Sequence, residues 1–298
     1  MDKKDIYDYI VAAVVVLYFP DESVYDNINS YINQVDIVIL VDNTDNPGSS
    51  IIEKFSSDER VVPIVNGANL GIANALNIGA QEAILRGCDL LLTMDQDSCA
   101  SSVMVATLKE GYIALEDDSL AIVSPFHLTS IVNAPDSSLP KYEEVESVWT
   151  SGNLLRLSLY KDIGTFKEDL FIDFVDHEYC LRLKRKGYRV VQSNFAILRH
   201  NIGTNLREIR FCFVSLKVSN HSSLRRYYIT RNRFWVTREY KEFRKFCLVD
   251  LCRFWAEFFT IGFFEKNKFA KFKMIILGYW DYRIGKMGKF ESFASRNR

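Results

Sequence analysis

Two carboxylates, Asp95 and Asp97, stand two positions apart where the apolar run Leu90-Leu91-Leu92-Thr93-Met94 ends. If Leu90–Met94 is a strand, alternation of faces points both side chains the same way from its C-terminal end. In an open α/β sheet that end is where ligands bind. Two hard oxygen donors there suit Mg²⁺ or Mn²⁺, and a divalent ion suits a diphosphate. Taken alone, the pair also reads as the polar turn that closes a core strand.

A second group of acids lies downstream, where Asp173, Asp176 and Glu178 fall at a helix start within Leu170–Arg182. Acids in a first turn complement the helix dipole. Here Phe171, Ile172, Phe174 and Val175 surround them in sequence, and such neighbours would strip water from a carboxylate and make it a better base. His200 closes the segment Phe195–His200; a lone histidine is often structural, but beside an Asp-x-Asp an imidazole would complete a metal site. Asp42 opens the turn Asp42-Asn43-Thr44-Asp45-Asn46-Pro47-Gly48, and its carboxylate could accept the N3–H of a uracil or thymine on which Tyr18 packs. A plain turn remains the other reading of Asp42-Asn43. The stretch Gly67–Gly71 allows close backbone approach to a ligand. It lacks the Gly-Lys-Ser/Thr of a P-loop, and no G-x-G-x-x-G follows the first strand, which argues against a dinucleotide enzyme.

Alternating elements must carry these residues. Strand signals fall at Ile10–Phe19, Asp36–Val41, Val61–Val65, Leu90–Met94 and Leu120–Pro125, with helices over Ser50–Ser56, Ile72–Arg86 and Ser102–Asp117. This alternation predicts an α/β fold with a mostly parallel, doubly wound sheet, because parallel neighbours need crossovers. Tyr18, Asp42, Asn66–Asn69 and Asp95–Asp97 then share one crevice at the strand ends. Strand-like Leu154–Leu157, a helix running to Gly187 and strands at Arg189–Gln192 and Phe195–His200 follow, with Ser130–Tyr142 a surface loop. From about residue 205 aromatic and basic residues interleave in long helical segments, so a division into 1–204 and 205–298 is expected.

The chain has 298 residues, 48% of them apolar and 25% charged, which excludes disordered and collagen-like classes. A net charge of −1 gives no argument for nucleic acid as a partner. Six scattered cysteines without C-x-x-C read as reduced thiols of a cytosolic protein. The run Ile10–Phe19 is too short to span a bilayer, and Asp250, Arg253 and Glu257 interrupt Phe246–Phe264. No signal peptide or transmembrane helix is expected. The aromatic and basic C-terminal third suits either a peripheral contact with the cytoplasmic membrane face or helix packing and homo-oligomer formation.

In order along the chain, several segments resemble the inverting, nucleotide-sugar-dependent glycosyltransferases of family 2, with the GT-A fold, and within them the bacterial rhamnosyltransferases. The carriers are Leu17–Asp21, Val41-Asp42-Asn43, Asn69–Gly79, Met94–Ser98, Ser151-Gly152, Phe171–Glu178, Leu198–Gly203 and Arg226–Asn232. The resemblance implies a GT-A domain followed by a helical C-terminal region. It implies Asp42 on the pyrimidine, Asp95 and Asp97 as the Asp-x-Asp with Asp97 on the metal, Asp176 as general base and His200 as a metal ligand. Tyr18, Asn69, Asn74, Gln96, Ser151 and Gly152 would add contacts to the nucleotide sugar. Arg231 would help on the phosphates, unless it lies on the solvated face of the basic helix Leu224–Arg238.

The implied cofactor is Mg²⁺ or Mn²⁺. The implied partners are a nucleoside-diphosphate sugar, with dTDP-L-rhamnose ahead of UDP-galactofuranose, UDP-glucose and UDP-galactose, and a saccharide or lipid-linked acceptor. Phe19 departs from the Asn expected before the proline, and His177 has no assigned role. A nucleotidyltransferase would want a glycine-rich basic loop where Tyr18-Phe19-Pro20-Asp21-Glu22 stands. A non-catalytic sugar-nucleotide-binding protein would not need Asp95, Asp97, Asp176 and His200 together.

Overall fold

A computed structural model describes residues 8–45, 50–129, 132, 134–200, 207–211 and 214–291. In chain order the elements are β1 (Val11–Leu17), α1 (Ser23–Asn29), β2 (Ile37–Asp42), α2 (Ser50–Lys54), β3 (Val61–Val65), α3 (Ile72–Leu85), β4 (Leu90–Asp95), β5 (Ser98–Ala100), α4 (Met104–Leu115) and β6 (Leu120–Leu128). They continue with β7 (Tyr142–Glu144), β8 (Asn153–Arg156), α5 (Leu157–Ile163), α6 (Val175–Arg185), β9 (Arg189–His200), β10 (Arg207–Phe211), β11 (Val214–Val218), α7 (Ser223–Glu239), α8 (Arg244–Phe264) and α9 (Lys268–Arg283). The chain divides into two compact units, Met1–Glu168 with Val175–Asn201, and Asp169–Phe174 with Ile202–Arg298.

The first unit is an α/β sheet in the order β3-β2-β1-β4-β8-β6-β9-β5, with β7 on β9. β1 pairs in parallel with β2 and β4, and β2 with β3. Pro63 explains the rim position of β3, since a proline cannot donate to a second neighbour. β1 is buried on both faces, as its unbroken apolar run requires. Val11, Ala13, Val15 and Leu17 join one core with Leu40, Leu92 and Met94. On the opposite face α3 comes close through Gly79, where a Cβ would lie 2.1 Å from Val14 Cγ2.

The structure extends the expected elements where pairing between distant segments decides. The Leu154–Leu157 strand is Asn153–Arg156, antiparallel to both β4 and β6, and Leu157 already opens α5. The two strands expected at Arg189–Gln192 and Phe195–His200 are one, and β6 runs past Pro125 to Leu128 with a register shift against β9. β5 forms directly after Asp97 by pairing with Leu198–His200.

The second unit contains α7, α8, α9, the antiparallel hairpin β10-β11 and the segment Asp169–Phe174. α9 crosses α7 at Gly278, where a Cβ would lie 2.5 Å from the Tyr227 carbonyl oxygen. Phe171, Tyr227, Tyr228 and Met274 form its small core. Cys88, Cys99, Cys180, Cys247 and Cys252 are free thiols, and Cys212 lies outside the described residues.

Gly79→Ala tests the α3–β1 packing. Alanine gains about 1 kcal/mol of helix propensity, but the close approach to Val14 should cost about 1–3 kcal/mol through overpacking. Thermal unfolding should therefore show a lower Tm; a raised Tm would mean that Val14 yields freely.

Candidate active site

The ends of β2 and β4 flank the end of β1. Leu17 stands opposite Asp42, and Val16 opposite Asp95. Beyond them the Tyr18 N–H donates to Gln96 Oε1 at 2.7 Å, and Gln96 Nε2 donates back to the Tyr18 carbonyl at 3.1 Å. Gln96 thus ties the chain leaving β1 to the turn between the two aspartates. The ring of Tyr18 is 45% exposed beside the exposed Phe19. Phe19 has φ +46°, a left-handed conformation that asparagine adopts more readily than phenylalanine, which gives the Asn expected there a physical reason.

Asp42 is fully buried. Its Oδ1 accepts the Thr44 N–H at 3.0 Å, while Oδ2 is buried without a hydrogen-bond partner among the described residues. A buried acceptor of this kind is costly unless a donor arrives. Its neighbour Asn43 accepts from Asn66 Nδ2 at 3.1 Å and from the Leu70 N–H at 3.0 Å. It also donates to Asn69 Oδ1 at 3.2 Å and to the Gly71 carbonyl at 3.3 Å. Asn43, which the sequence marks only as a turn residue, is the hub of the loop that opens α3, and Asn69 is one of its spokes. Asn74 donates to Glu168 Oε2 at 2.9 Å, and its Oδ1 is buried without a partner among the described residues.

Ser151 and Gly152 support the aspartate pair from the neighbouring strand. The Asp95 N–H donates to Ser151 Oγ at 3.1 Å, and the Ser151 hydroxyl donates to Ser98 Oγ at 2.8 Å. The Gly152 N–H donates to the Thr93 carbonyl at 2.6 Å. Gly152 has φ +84°, and a Cβ there would lie 2.5 Å from Pro125 Cγ. Only glycine fits this turn without strain. His127, which no sequence signal marks, has its Nε2 within 2.7 Å of the Ser151 carbonyl and its ring against Trp149.

Asp97 is exposed at the turn, and Ser98 pairs across to His200. The pairing brings the His200 backbone to within one residue of Asp97 along β5; the His200 side chain, and Asn201–Gly203, lie outside the described residues. Among the described residues no three His, Cys, Asp or Glu side chains cluster as a metal site. Asp95 at the end of β4 and Asp97 in the turn after it are two hard carboxylates, of the type that a divalent ion bridging a diphosphate takes.

Asp176 stands in the first turn of α6, where its Oδ1 accepts the His177 N–H at 2.8 Å. It lines a small, mostly apolar cavity in which Thr93, Thr150, Asn153 and Tyr179 stand beside Ile122, Leu155 and Phe166. Among the described residues Asn153 Oδ1 and the Tyr179 hydroxyl, buried there, have no hydrogen-bond partner. Burial pushes the pKa of Tyr179 well above its ordinary value, so the hydroxyl keeps its proton. His177 turns to Ser147, with Nδ1 to Oγ at 2.9 Å.

The segment leading to Asp176 is strained and held within the second unit. Phe171, Asp173 and Phe174 all have positive φ, between +63° and +66°. The Asn232 amide donates to the carbonyls of Leu170, Ile172 and Asp173, at 2.8, 2.8 and 2.9 Å. Arg231 donates to the carbonyls of Gly288, Asp169 and Leu170, and Arg225 pairs with Asp173 at 3.0 Å. Arg231 is fully buried, so the solvated-face reading fails. Its guanidinium is directed to backbone carbonyls, a positioning role that the sequence did not separate from phosphate binding.

Comparison with known proteins gives the class of enzyme. Residues 13–141 match the family model Glycosyl transferase family 2. The dTDP-rhamnosyl transferase RfbF of Shigella flexneri is 28% identical over 249 residues, 77% of this chain and 80% of that protein. The chain is a glycosyltransferase, with a family 2 match over residues 13–141.

Two solved structures share the fold of this glycosyltransferase. GalNAc-T7, solved with UDP, GalNAc and Mn2+, superposes with a TM-score of 0.55 at 12% identity, over 68% of this chain and 44% of that one. S. aureus TarS gives 0.52 at 16% identity, over 77% of this chain and 39% of that one. The glycosyltransferase therefore spans less than half the length of either solved protein. Its fold is the mixed α/β GT-A arrangement with a helical C-terminal region.

Asn232 offers the test of the strained segment. Asn232→Ala leaves buried carbonyls without their donor, at a cost of about 1–3 kcal/mol. Turnover should fall while donor affinity holds, because Asp176 follows the segment by two residues in the chain. Asn232→Asp, which keeps the shape but not the N–H donors, should behave alike; full activity in both would remove the segment from any part in positioning Asp176.

Proposed function

We propose that this glycosyltransferase transfers L-rhamnose from dTDP-L-rhamnose, with inversion, to a saccharide or lipid-linked acceptor of a bacterial surface polysaccharide such as an O-antigen, capsule or lipopolysaccharide. The observation that carries the nucleotide reading is Asp42 Oδ2, a buried acceptor at the strand ends with no partner among the described residues. The N3–H of thymine would satisfy it. The 28% identity to a dTDP-rhamnosyl transferase supports the donor.

Asp176 would take the proton of an acceptor hydroxyl as its oxygen attacks the anomeric carbon in line. The bond from that carbon to the diphosphate oxygen breaks, and the nucleoside diphosphate leaves with the electron pair. Tyr179, which keeps its proton, and Asn153 would hold water or acceptor hydroxyls beside Asp176. Asp95 and Asp97, with His200, would hold Mg²⁺ or Mn²⁺, whose charge offsets that of the diphosphate. Asp42 and Tyr18 would orient the base. Gln96, Asn69, Ser151 and Gly152 would keep the loops that carry these groups in place, and Asn74 would offer Oδ1 as a further acceptor.

Nucleotide sugars incubated with the enzyme in Mg²⁺, Mn²⁺ or EDTA test the reading through released nucleoside diphosphate. Metal-dependent release from dTDP-L-rhamnose, lost in Asp97→Ala, is expected. Release from UDP-galactofuranose, UDP-glucose or UDP-galactose instead would overturn the rhamnosyl assignment and keep the transferase. Asp176→Asn should bind donor normally and lose transfer by roughly 10²–10⁴-fold, the usual contribution of a general base. Asp42→Ala should weaken the binding of dTDP while sparing the fold; unchanged affinity would remove Asp42 from base recognition.

A further inference from the structure

α8 and α9 are sorted by chemistry in the reverse of an ordinary surface helix. The inward stripe of α8 carries Asp250 and Glu257, and both pair with Arg233 of α7, at 3.0 Å each. Arg226 joins Glu257 and Glu265, and Glu265 also takes Lys271 at 2.8 Å. On α9 the buried Asp281 accepts the Tyr227 hydroxyl at 2.6 Å. All four acids between Arg244 and Arg283 thus face inward partners. Apart from Lys271, every Lys and Arg of the same span is exposed.

The outward faces are apolar. Leu248, Leu251, Trp255 and Phe258 follow one another at spacings of three, four and three, a single stripe at about 100° per residue. Trp255 is 58% exposed; on α9 Phe269, Ile276 and Trp280 are 87%, 70% and 61% exposed. Trp255 stacks edge-on to Phe258, and Phe258 meets Phe272 of α9 at 4.7 Å, so the two stripes form one patch. Lys266 and Phe269 line the same cavity of about 520 Å³, which brings the cationic rim against the apolar surface. Monomeric soluble proteins rarely leave a continuous surface of this kind uncovered.

We propose that the α8–α9 face docks on an anionic phospholipid bilayer. Tryptophan and phenylalanine enter the interfacial layer while lysine and arginine reach phosphates from its rim, the division of labour of a helix lying in the membrane plane. Among the described residues no helix is long and apolar enough to cross a membrane. The charges separate lipid from a second copy of this chain: two such faces would oppose cation to cation, whereas an anionic surface complements them. The inference stands apart from the donor assignment, and its failure would leave Asp176 and Asp42 untouched.

Sedimentation of the full chain with vesicles tests it. Vesicles containing phosphatidylglycerol should carry the protein down at low salt, and pure phosphatidylcholine should carry far less. Replacing Trp255→Glu together with Trp280→Glu should weaken binding at least about tenfold, since two large aromatic side chains no longer leave water. Leu85→Glu on the exposed side of α3 should bind as the parent does, and circular dichroism checks that each variant folds. Brominated acyl chains should quench parent fluorescence more strongly than that of the double variant. No sedimentation with anionic vesicles, equal binding by the double variant, or a dimer that the same substitutions dissociate would each overturn the proposal.

Discussion

A strand buried on both faces and paired in parallel on both edges has no freedom left, and β1 is such a strand. Its two neighbours must arrive from crossovers and end beside it. Leu17 therefore meets Asp42, and Val16 meets Asp95. The sheet order reverses direction around β1, and at such a point the strand ends leave a crevice. Tyr18, Asp42, Asp95, Gln96 and Asp97, read as binding the nucleotide sugar, hang from these ends or from the loops beyond them. Gln96 and Ser151 then remove the remaining play, one by clasping the Tyr18 backbone and the other by bonding both the Asp95 N–H and Ser98.

Strain is concentrated elsewhere. Three non-glycine residues in left-handed conformation within 171–174 cost about 1–2 kcal/mol each. Such a turn persists only where its surroundings over-determine it. Asn232 and Arg231 do so by donating to the carbonyls of Asp169, Leu170, Ile172 and Asp173, and the stacking of Phe171 on Tyr228 adds apolar contact. Two adjacent polar residues on one helix thus hold the chain that enters α6. This is a use of charge that gives geometry more than stability, because burying a guanidinium forfeits its hydration.

The same reasoning explains the ion pairs of the second unit. Arg226, Arg233, Asp250 and Glu265 are buried and Glu257 is half-buried; Arg226 pairs with Glu257 and Glu265, and Arg233 with Asp250 and Glu257. Buried charges require that degree of satisfaction. Polar groups turned inward leave apolar ones outside, so the surface character of α8 and α9 follows from the network beneath them.

Local pattern was enough for much of this protein. The apolar run of β1, the turn after β2, the small-residue helix α3 and the Asp95–Asp97 pair at a strand end are all legible from spacing, because each depends on residues within one element. Resemblance of ordered segments supplied the family and the candidate roles. What spacing could not reveal were contacts between distant segments: the insertion of β8 between β4 and β6, the pairing of β5 with β9, and Asn43 as hub of the loop before α3. Arg231 shows the limit most clearly. In sequence it belongs to a basic helix and reads as solvated or phosphate-bound, yet carbonyls some sixty residues away claim its donors. The sequence alone determined which groups have the chemistry for transfer, since that is a property of residue type and local period. Only the tertiary structure decided which polar groups hold the backbone, as Asn43 and Arg231 do, because a donor's role depends on the acceptors that folding brings to it.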